Sequence, residues 1–419
     1  MNMIKIFTLL ISIAFASAPI FAHAYQIAPN PNPVGNTIDV LGSDAETGNF
    51  TNFGSLHIGK NGMLFINTTL PEEITLSNES SGNLIIDNGG FLNGGTLDDY
   101  SLPTLLKSSG TLNNSGKVEN FSYIYNSGIL NNEGTLRVTI TITNTGIMNN
   151  NIDGYINTGM GGLANTGIFN NYGTSYVVFS NGGGGTLVNY GSMDYSTIDN
   201  ASDSTVTNNG VFHNVGIFNW GGTINGSGTF VHDISRGTGI LNNGSFSQAS
   251  FMINQGNISG TGNFTGEVTL GSGATVSPGP YPSYLGTLTF NGDFHSSGAF
   301  GIDISGTETG QYDALVINGN ADFTEGNVLF NFTNDFRPSV GDHWNFLLSD
   351  NPIGLDSLNI SFAGLWQSEK VKGDLISDSS GGHLLITAVP EPETYAMLLA
   401  GLGFLGFVVR RKKRSLQDK

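Results

Sequence analysis

A five-residue pattern recurs through the middle of this chain, and it restricts the fold more than any other feature. Gly110-Thr111-Leu112-Asn113-Asn114 returns as Gly128-Ile129-Leu130-Asn131-Asn132, as Gly146-Ile147-Met148-Asn149-Asn150 and as Gly167-Ile168-Phe169-Asn170-Asn171. Two further copies are Gly185-Thr186-Leu187-Val188-Asn189 and Gly239-Ile240-Leu241-Asn242-Asn243. The first five start 18, 18, 21 and 18 residues apart, and Gly210-Val211-Phe212 and Gly216-Ile217-Phe218 fill much of the gap before the sixth. Weaker copies, Gly62-Met63-Leu64 and Gly90-Phe91-Leu92, precede the series. A unit of about 20 residues cannot bury an apolar face alone, so it has to stack on its neighbours as a solenoid.

The unit has neither the leucine spacing of a leucine-rich repeat nor ten consecutive residues of helical pattern. Segments such as Leu136-Arg137-Val138-Thr139-Ile140-Thr141-Ile142 alternate apolar and polar residues, which is the pattern of a strand with one buried face. Asn-Gly, Asn-Asn and Gly-Gly pairs between them are expected to supply corners with positive φ. The expected fold class is all-β: a right-handed parallel β-helix with Leu, Ile, Phe and Val inside and Asn ladders at the corners. A β-rich C-terminal cap and a single C-terminal hydrophobic sorting helix complete it. An antiparallel sandwich or propeller would need tight hairpins every 8–12 residues, which the period does not offer. A disordered Gly/Asn-rich segment would lack the recurring large apolar residue and the 27 Phe of this chain.

Charge narrows the partners. The chain carries −18 at pH 7, and five of its fifteen Lys and Arg lie between 410 and 414. Residues 25–409 hold eight basic side chains against 32 acidic ones. Such a surface repels nucleic acid, so no nucleic-acid partner is expected. There is no Cys, so stability rests on packing and backbone hydrogen bonds, without disulfides or thiolate metal sites.

Both ends read as addresses. Lys5, the apolar run Ile6 to Ala18 and the small-residue site Ala22-His23-Ala24 make residues 1–24 a signal peptide. Cleavage after Ala24, with Ala22 at the other small position, implies the Sec translocon and signal peptidase as partners. At the other end, Val389-Pro390-Glu391-Pro392-Glu393-Thr394 leads into the apolar run Tyr395 to Val409, then Arg410-Arg411-Lys412-Lys413-Arg414. Fifteen residues of helix span about 23 Å against a hydrocarbon core of about 30 Å, so the segment is short for an ordinary anchor. The basic cluster marks its cytoplasmic end. This succession closely resembles the PEP-CTERM sorting signal of Gram-negative bacteria. The resemblance implies an exosortase, a membrane-embedded cysteine transpeptidase-like enzyme, as the partner that processes the chain at Pro390, Glu391 and Pro392. It implies a transient inner-membrane anchor through the C-terminal helix before processing. A plain tail anchor would leave the Pro-Glu-Pro element without a role.

A second resemblance begins at Ser277. Ser277-Pro278-Gly279 is followed by Leu285-Gly286-Thr287-Leu288-Thr289-Phe290-Asn291-Gly292-Asp293, by Gln311-Tyr312-Asp313-Ala314-Leu315-Val316-Ile317-Asn318-Gly319, and by Pro338-Ser339-Val340-Gly341-Asp342. The order resembles the repeat-associated region of autotransporter passenger domains and β-helical adhesins, with Pro280 to Tyr284 as an insertion. The sequence therefore divides into 1–24 signal peptide, 25–51 leader or N-terminal cap and 52–276 β-helix. Residues 277–388 are a passenger-associated β region and cap containing Trp366, and 389–414 are the sorting signal.

Chemistry is sparse. There is no P-loop, no His-Glu-x-x-His and no Gly-x-Ser-x-Gly. His213 and His232 are expected at solvated corners. Asp194, Asp199 and Asp203 sit in an irregular stretch between Gly185 and Gly210 and could form a hydrolase carboxylate pair or a weak Ca²⁺ site. Tyr123, Tyr125, Tyr172, Tyr176, Tyr190 and Tyr195 offer either sugar stacking or cover for coil edges. No catalytic residue, metal ligand or cofactor is assigned. The expectation is a non-enzymatic, adhesin-like protein of the cell surface or extracellular matrix, linked to exopolysaccharide. A polysaccharide-active hydrolase or lyase on the same scaffold is the alternative.

Overall fold

The computed structural model describes residues 25–42, 44–66, 73–95, 103–233, 239–280, 284–350, 352–365, 371–389 and 400–407. It is all-β with a solenoid-like parallel arrangement of strands. The chain forms two compact units, Met1–Thr229 and Phe230–Lys419.

In the first unit each coil has three strands, so the stack has three sides. The first side contains Thr37–Val40, Ser55–Ile58, Asn83–Ile86, Thr111–Asn114, Ile129–Asn132, Ile147–Asn150, Ile168–Asn171, Thr186–Asn189, Thr205–Asn208 and Thr223–Asn225, paired parallel and in register. The second side includes the start of Lys117–Asn126 and of Thr135–Asn144, then Tyr155–Thr158, Thr174–Tyr176, Ser192–Asp194 and Val211–His213. The third takes the ends of those two long strands, then Gly162–Asn165, Val178–Asn181, Thr197–Asn200 and Gly216–Asn219.

Each residue of the repeat has one job in this coil. In Gly128-Ile129-Leu130-Asn131-Asn132, Ile129 and Asn131 point outward, whereas Leu130 and Asn132 are fully buried. Leu112, Leu130, Met148, Phe169, Leu187 and Val206 occupy one register position on successive coils, all at 0% exposure. Side chains of that size contribute about 1.5–3 kcal/mol each when buried.

The buried Asn residues form two ladders, one at each of two corners of the coil, where the sequence is most often N-x-G. At one corner the Nδ2 of Asn114, Asn132, Asn150, Asn171 and Asn189 each donates to the Oδ1 one coil on, at 2.7–2.8 Å. At the other, Asn126, Asn144, Asn165, Asn181 and Asn200 do the same at 2.7–3.0 Å. The second N–H typically reaches a backbone carbonyl of the next coil, as from Asn126 to Ile147 O at 2.9 Å. A buried amide is tolerated because its polar atoms are paired in this way.

The repeat glycines are there for a different reason from the one their composition suggests. Gly128, Gly134, Gly146, Gly167, Gly191 and Gly210 are not in the positive-φ region. A Cβ on Gly128 would land on the carbonyl oxygen of Gly110, and one on Gly146 on that of Gly128. Close approach of stacked corners, rather than a left-handed turn, excludes every side chain. Positive φ falls at other positions, among them Gly89, Gly183, Gly184, Gly221, Gly226 and Gly292, in the Gly-Gly and Asn-Gly pairs expected to supply it, and Asn61, Asn120 and Asn214.

In the second unit the coils are longer. Ser245–Gly260 lies parallel on Asn263–Pro278, which carries Thr287–Asn291, Phe294–Ser296 and Ala299–Ile304. These pair with Ala314–Ile317, Ala321–Phe323 and Asn327–Phe332, with Leu288 opposite Leu315. The interior is aromatic: Phe246 and Phe251 meet edge to face at 4.9 Å, and Phe264 stacks on Phe290 at 5.2 Å. Parallel pairing ends at an antiparallel hairpin, Lys372–Asp378 with Gly381–Ala388, whose second strand covers His343–Ser349. That hairpin closes the edge of the coil stack. Trp344, buried beneath it, donates from Nε1 to Gly306 O at 2.8 Å. Trp366 lies outside the described residues.

Candidate ligand-binding faces and sorting segment

The three sides of the first unit differ in chemistry. From Thr111 to Asn225 the first side presents two outward rows. One row is Thr111, Ile129, Ile147, Ile168, Thr186, Thr205 and Thr223; the other is Asn113, Asn131, Asn149, Asn170, Val188, Thr207 and Asn225. Neither row contains a charged residue. Ile129, Ile147 and Ile168 are 40%, 37% and 41% exposed. Asn131, Asn149 and Asn170 each donate to the Oδ1 of the preceding coil's Asn at 2.8 Å. The sequence contained this face at the second and fourth positions of each repeat, but only the register shows that those positions share one side.

The second side is charged and aromatic. Arg137 lies 3.6 Å from Glu119 and 5.6 Å above the Tyr155 ring. Tyr155 packs on Tyr176 at 5.8 Å, and the Tyr176 hydroxyl donates to Asp194 Oδ2 at 3.5 Å. Burial, then the Asp194 charge, raises the Tyr176 hydroxyl above the usual tyrosine range. His213 Nδ1 is 2.8 Å from Asp194 Oδ1, and Tyr195 meets the imidazole edge-on. His213 thus lies on a strand with its imidazole in contact with the Asp194 carboxylate, and His232 is buried on a strand against Phe230. Neither occupies the solvated corner expected of it.

The stretch holding Asp194, Asp199 and Asp203 is a regular coil rather than an insert, and it separates the three. Asp194 is on the second side. Asp199 is on the third, where Trp220 Nε1 donates to it at 2.7 Å. Asp203 lies in the following corner beside Ser204, at 3.1 Å. Among the described residues no group of three His, Asp or Glu is placed to hold a metal ion. Tyr172 and Tyr190 stack nearly parallel, 5.1 Å apart, in the middle of successive N-x-G corners. Each ring occupies one face of the other, and Tyr172 and Tyr190 remain 43% and 51% exposed.

Two clusters had no signature in the sequence. His57 bridges Asp39 and Asp87 at 2.8 and 2.9 Å, and these hydrogen bonds raise its pKa. In the second unit, Ser380 Oγ is 3.3 Å from His383 Nε2, and His383 Nδ1 is 2.6 Å from Asn345 Oδ1. This looks like a nucleophile, a base and its orienting group. However, Ser380 Oγ donates to Asp378 Oδ1 at 2.6 Å, so the carboxylate rather than the imidazole receives its proton. His383, Asp378 and Ser380 lock the hairpin tip.

Asp313, at 0% exposure, accepts from the backbone N–H of Gly286 at 2.8 Å and of Asp303 at 2.9 Å. Burial outweighs these donors and pushes its carboxyl up to about 7.

Residues 400–407 are helical with Leu402, Phe404, Leu405 and Phe407 more than half exposed. Among the described residues no helix is long and apolar enough to cross a membrane. Ala22, Ala24, Pro390, Glu391, Pro392 and the cluster Arg410, Arg411, Lys412, Lys413 and Arg414 lie outside the described residues. No curated protein matches the chain. Residues 388–413 match the family model of the PEP-CTERM protein-sorting motif, which supports an exported protein with an exosortase as its processing partner.

Proposed function

We propose that this chain is an adhesin-like component of the cell surface or extracellular matrix of a Gram-negative bacterium, linked to exopolysaccharide and acting by binding rather than catalysis. In this reading signal peptidase removes residues 1–24 after Sec export. The C-terminal segment then holds the chain in the inner membrane until exosortase acts at Pro390-Glu391-Pro392. The coils wind right-handed, the sense favoured for parallel strands joined by crossovers.

The observation that carries the reading is the sorting motif at 388–413 on a chain whose body repeats its outward rows coil after coil. Binding is supported over catalysis because the carboxylates that could have formed a hydrolase pair are spread out, Asp194 on the second side, Asp199 on the third and Asp203 in the corner after it. Intact mass of the mature protein from strains with and without the exosortase tests the sorting. A chain cut near Pro390 only in the exosortase strain is expected, and one ending at Lys419 in both contradicts it. Release of reducing ends or unsaturated products from matrix polysaccharides would replace the binding reading with the enzymatic one.

A further inference from the structure

The first side of the Thr111–Asn225 coils is uncharged in both outward rows, on a chain that is otherwise strongly acidic. Coils stack about 4.8 Å apart and alternate residues of a strand lie about 6.6 Å apart, so the face is a two-column grid. Seven coils span roughly 29 Å and a four-residue strand roughly 13 Å, which gives a flat face of about 400 Å².

That area selects the occupant. A stable protein dimer buries about 800 Å² per partner, twice what this face offers, whereas a functional surface patch of 300–600 Å² is ordinary. Its chemistry selects further. The column containing Ile129, Ile147 and Ile168 supplies branched apolar carbons. In the column of Asn131 and Asn149, each amide uses one N–H and one oxygen lone pair on its neighbours. An amide has two of each, so a second N–H and a second lone pair remain for a ligand. Branched carbon beside amide is the complement of a pyranose, with its C–H face and its equatorial hydroxyls. No Lys or Arg is present to take a uronate or sulfate, and no carboxylate to take an amino-sugar cation. The net negative charge of the chain repels polyanions.

The geometry points to the first side of these coils as the docking face for an extended, neutral, β-linked glycan lying along the stack. Each coil adds one Ile or Thr contact and one from Asn, Thr or, at position 188, Val, and affinity accumulates by repetition. The inference rests on the matrix reading above, because it assumes that the protein meets polysaccharide outside the cell. Binding by purified protein is nevertheless independent of how the tail is processed.

The test is co-sedimentation of the purified full chain with cellulose or curdlan particles, against alginate beads as the anionic counterpart. Retention on a neutral glucan, none on alginate, and a loss of roughly tenfold or more in Ile147→Lys/Ile168→Lys is expected, since each cation would have to be desolvated against the sugar. Thr174→Lys on the second side should bind as the parent does. The single variant Ile168→Lys serves if the double variant fails to fold, as judged by circular dichroism. Retention on alginate, retention on neither glucan, or equal binding by the Ile168→Lys chain would overturn the proposal. Concentration-dependent dimerisation abolished by the same variant would also overturn it, identifying a second copy as the occupant.

Discussion

Replacing Ser108 by Asn should stabilise the first unit, and the structure gives the size of the effect. Ser108 stands in an Asn ladder, with Asn78 one coil before it and Asn126 one coil after, in register. Asn78 Nδ2 reaches Ser108 Oγ at 3.2 Å, longer than the 2.7 Å rungs further along, and Asn126 Oδ1 is left buried without a donor. Ser108→Asn places an Nδ2 where Asn126 Oδ1 needs one and an Oδ1 within closer reach of Asn78. Pairing a buried orphaned acceptor is worth about 1–3 kcal/mol, and ordering one more side chain costs about 0.5–1 kcal/mol. The expected gain is therefore about 1 kcal/mol, or about 2–4 °C in the melting temperature of a unit this size. The reverse change, Asn144→Ser, removes the donor to Asn165 Oδ1 and should cost about 1–3 kcal/mol. Urea titration of the full chain, followed by circular dichroism, reads both. If Ser108→Asn lowers the midpoint while Asn144→Ser leaves it unchanged, the ladders are passengers of the fold and the reasoning fails.

Gly128→Ala forces a Cβ onto the Gly110 carbonyl and should cost about 3 kcal/mol, with hydrogen exchange accelerating first in the flanking coils; an unchanged melting temperature would refute the steric role. Asp313 keeps its proton in the folded state up to about 7, whereas its unfolded carboxyl loses it near 4. The second unit should therefore lose roughly 4 kcal/mol of stability as pH rises from about 4 to about 7, and Asp313→Asn should flatten that slope in urea midpoints measured across the range. In the first unit the raised pKa of His57 gives a slope of the same sign, with stability lost as pH climbs through the folded pKa. His57→Gln removes it, readable by the same titrations carried to the alkaline side of the ordinary histidine pKa.

The parts of this molecule that could be read from its sequence are those that repeat. Gly-x-Leu-x-Asn fixes an inward apolar residue and an inward amide two positions later, and both columns are found where the period places them. The role of the glycines could not be read, because a close approach to the preceding coil and a left-handed turn ask for the same residue. Asp194 and Asp199 are five residues apart, yet a corner between them sends them to different sides; the period shows that corners exist without showing which residues they separate. Asn345 and His383 meet across 38 residues through an antiparallel pairing, which no periodicity encodes.

The first side's uncharged rows contrast with the second side, while the third side of the same coils carries Asp199 among otherwise uncharged outward residues from Tyr123 to Phe218. Stacking requires the inward apolar column, the inward amides and the corner glycines, and it asks nothing of the outward residues. The second side shows this, for Lys117, Glu119, Arg137, Asp194 and His213 stand outward on the same coils. Charge is tolerated on the first side too, at Asp39 and His57 in its earliest coils. Strand preference accounts for Thr and Ile in one column, but it runs against Asn, which is depleted in strands. The column of Asn at 113, 131, 149 and 170 runs against strand preference and is held by its own coil-to-coil amide bonds at 2.8 Å, which use one N–H and one lone pair of each inner amide and leave the others facing outward. The proposed glycan contact rests on those outward-facing amide groups beside the Ile129, Ile147 and Ile168 column, and the Ile168→Lys variant tests it there.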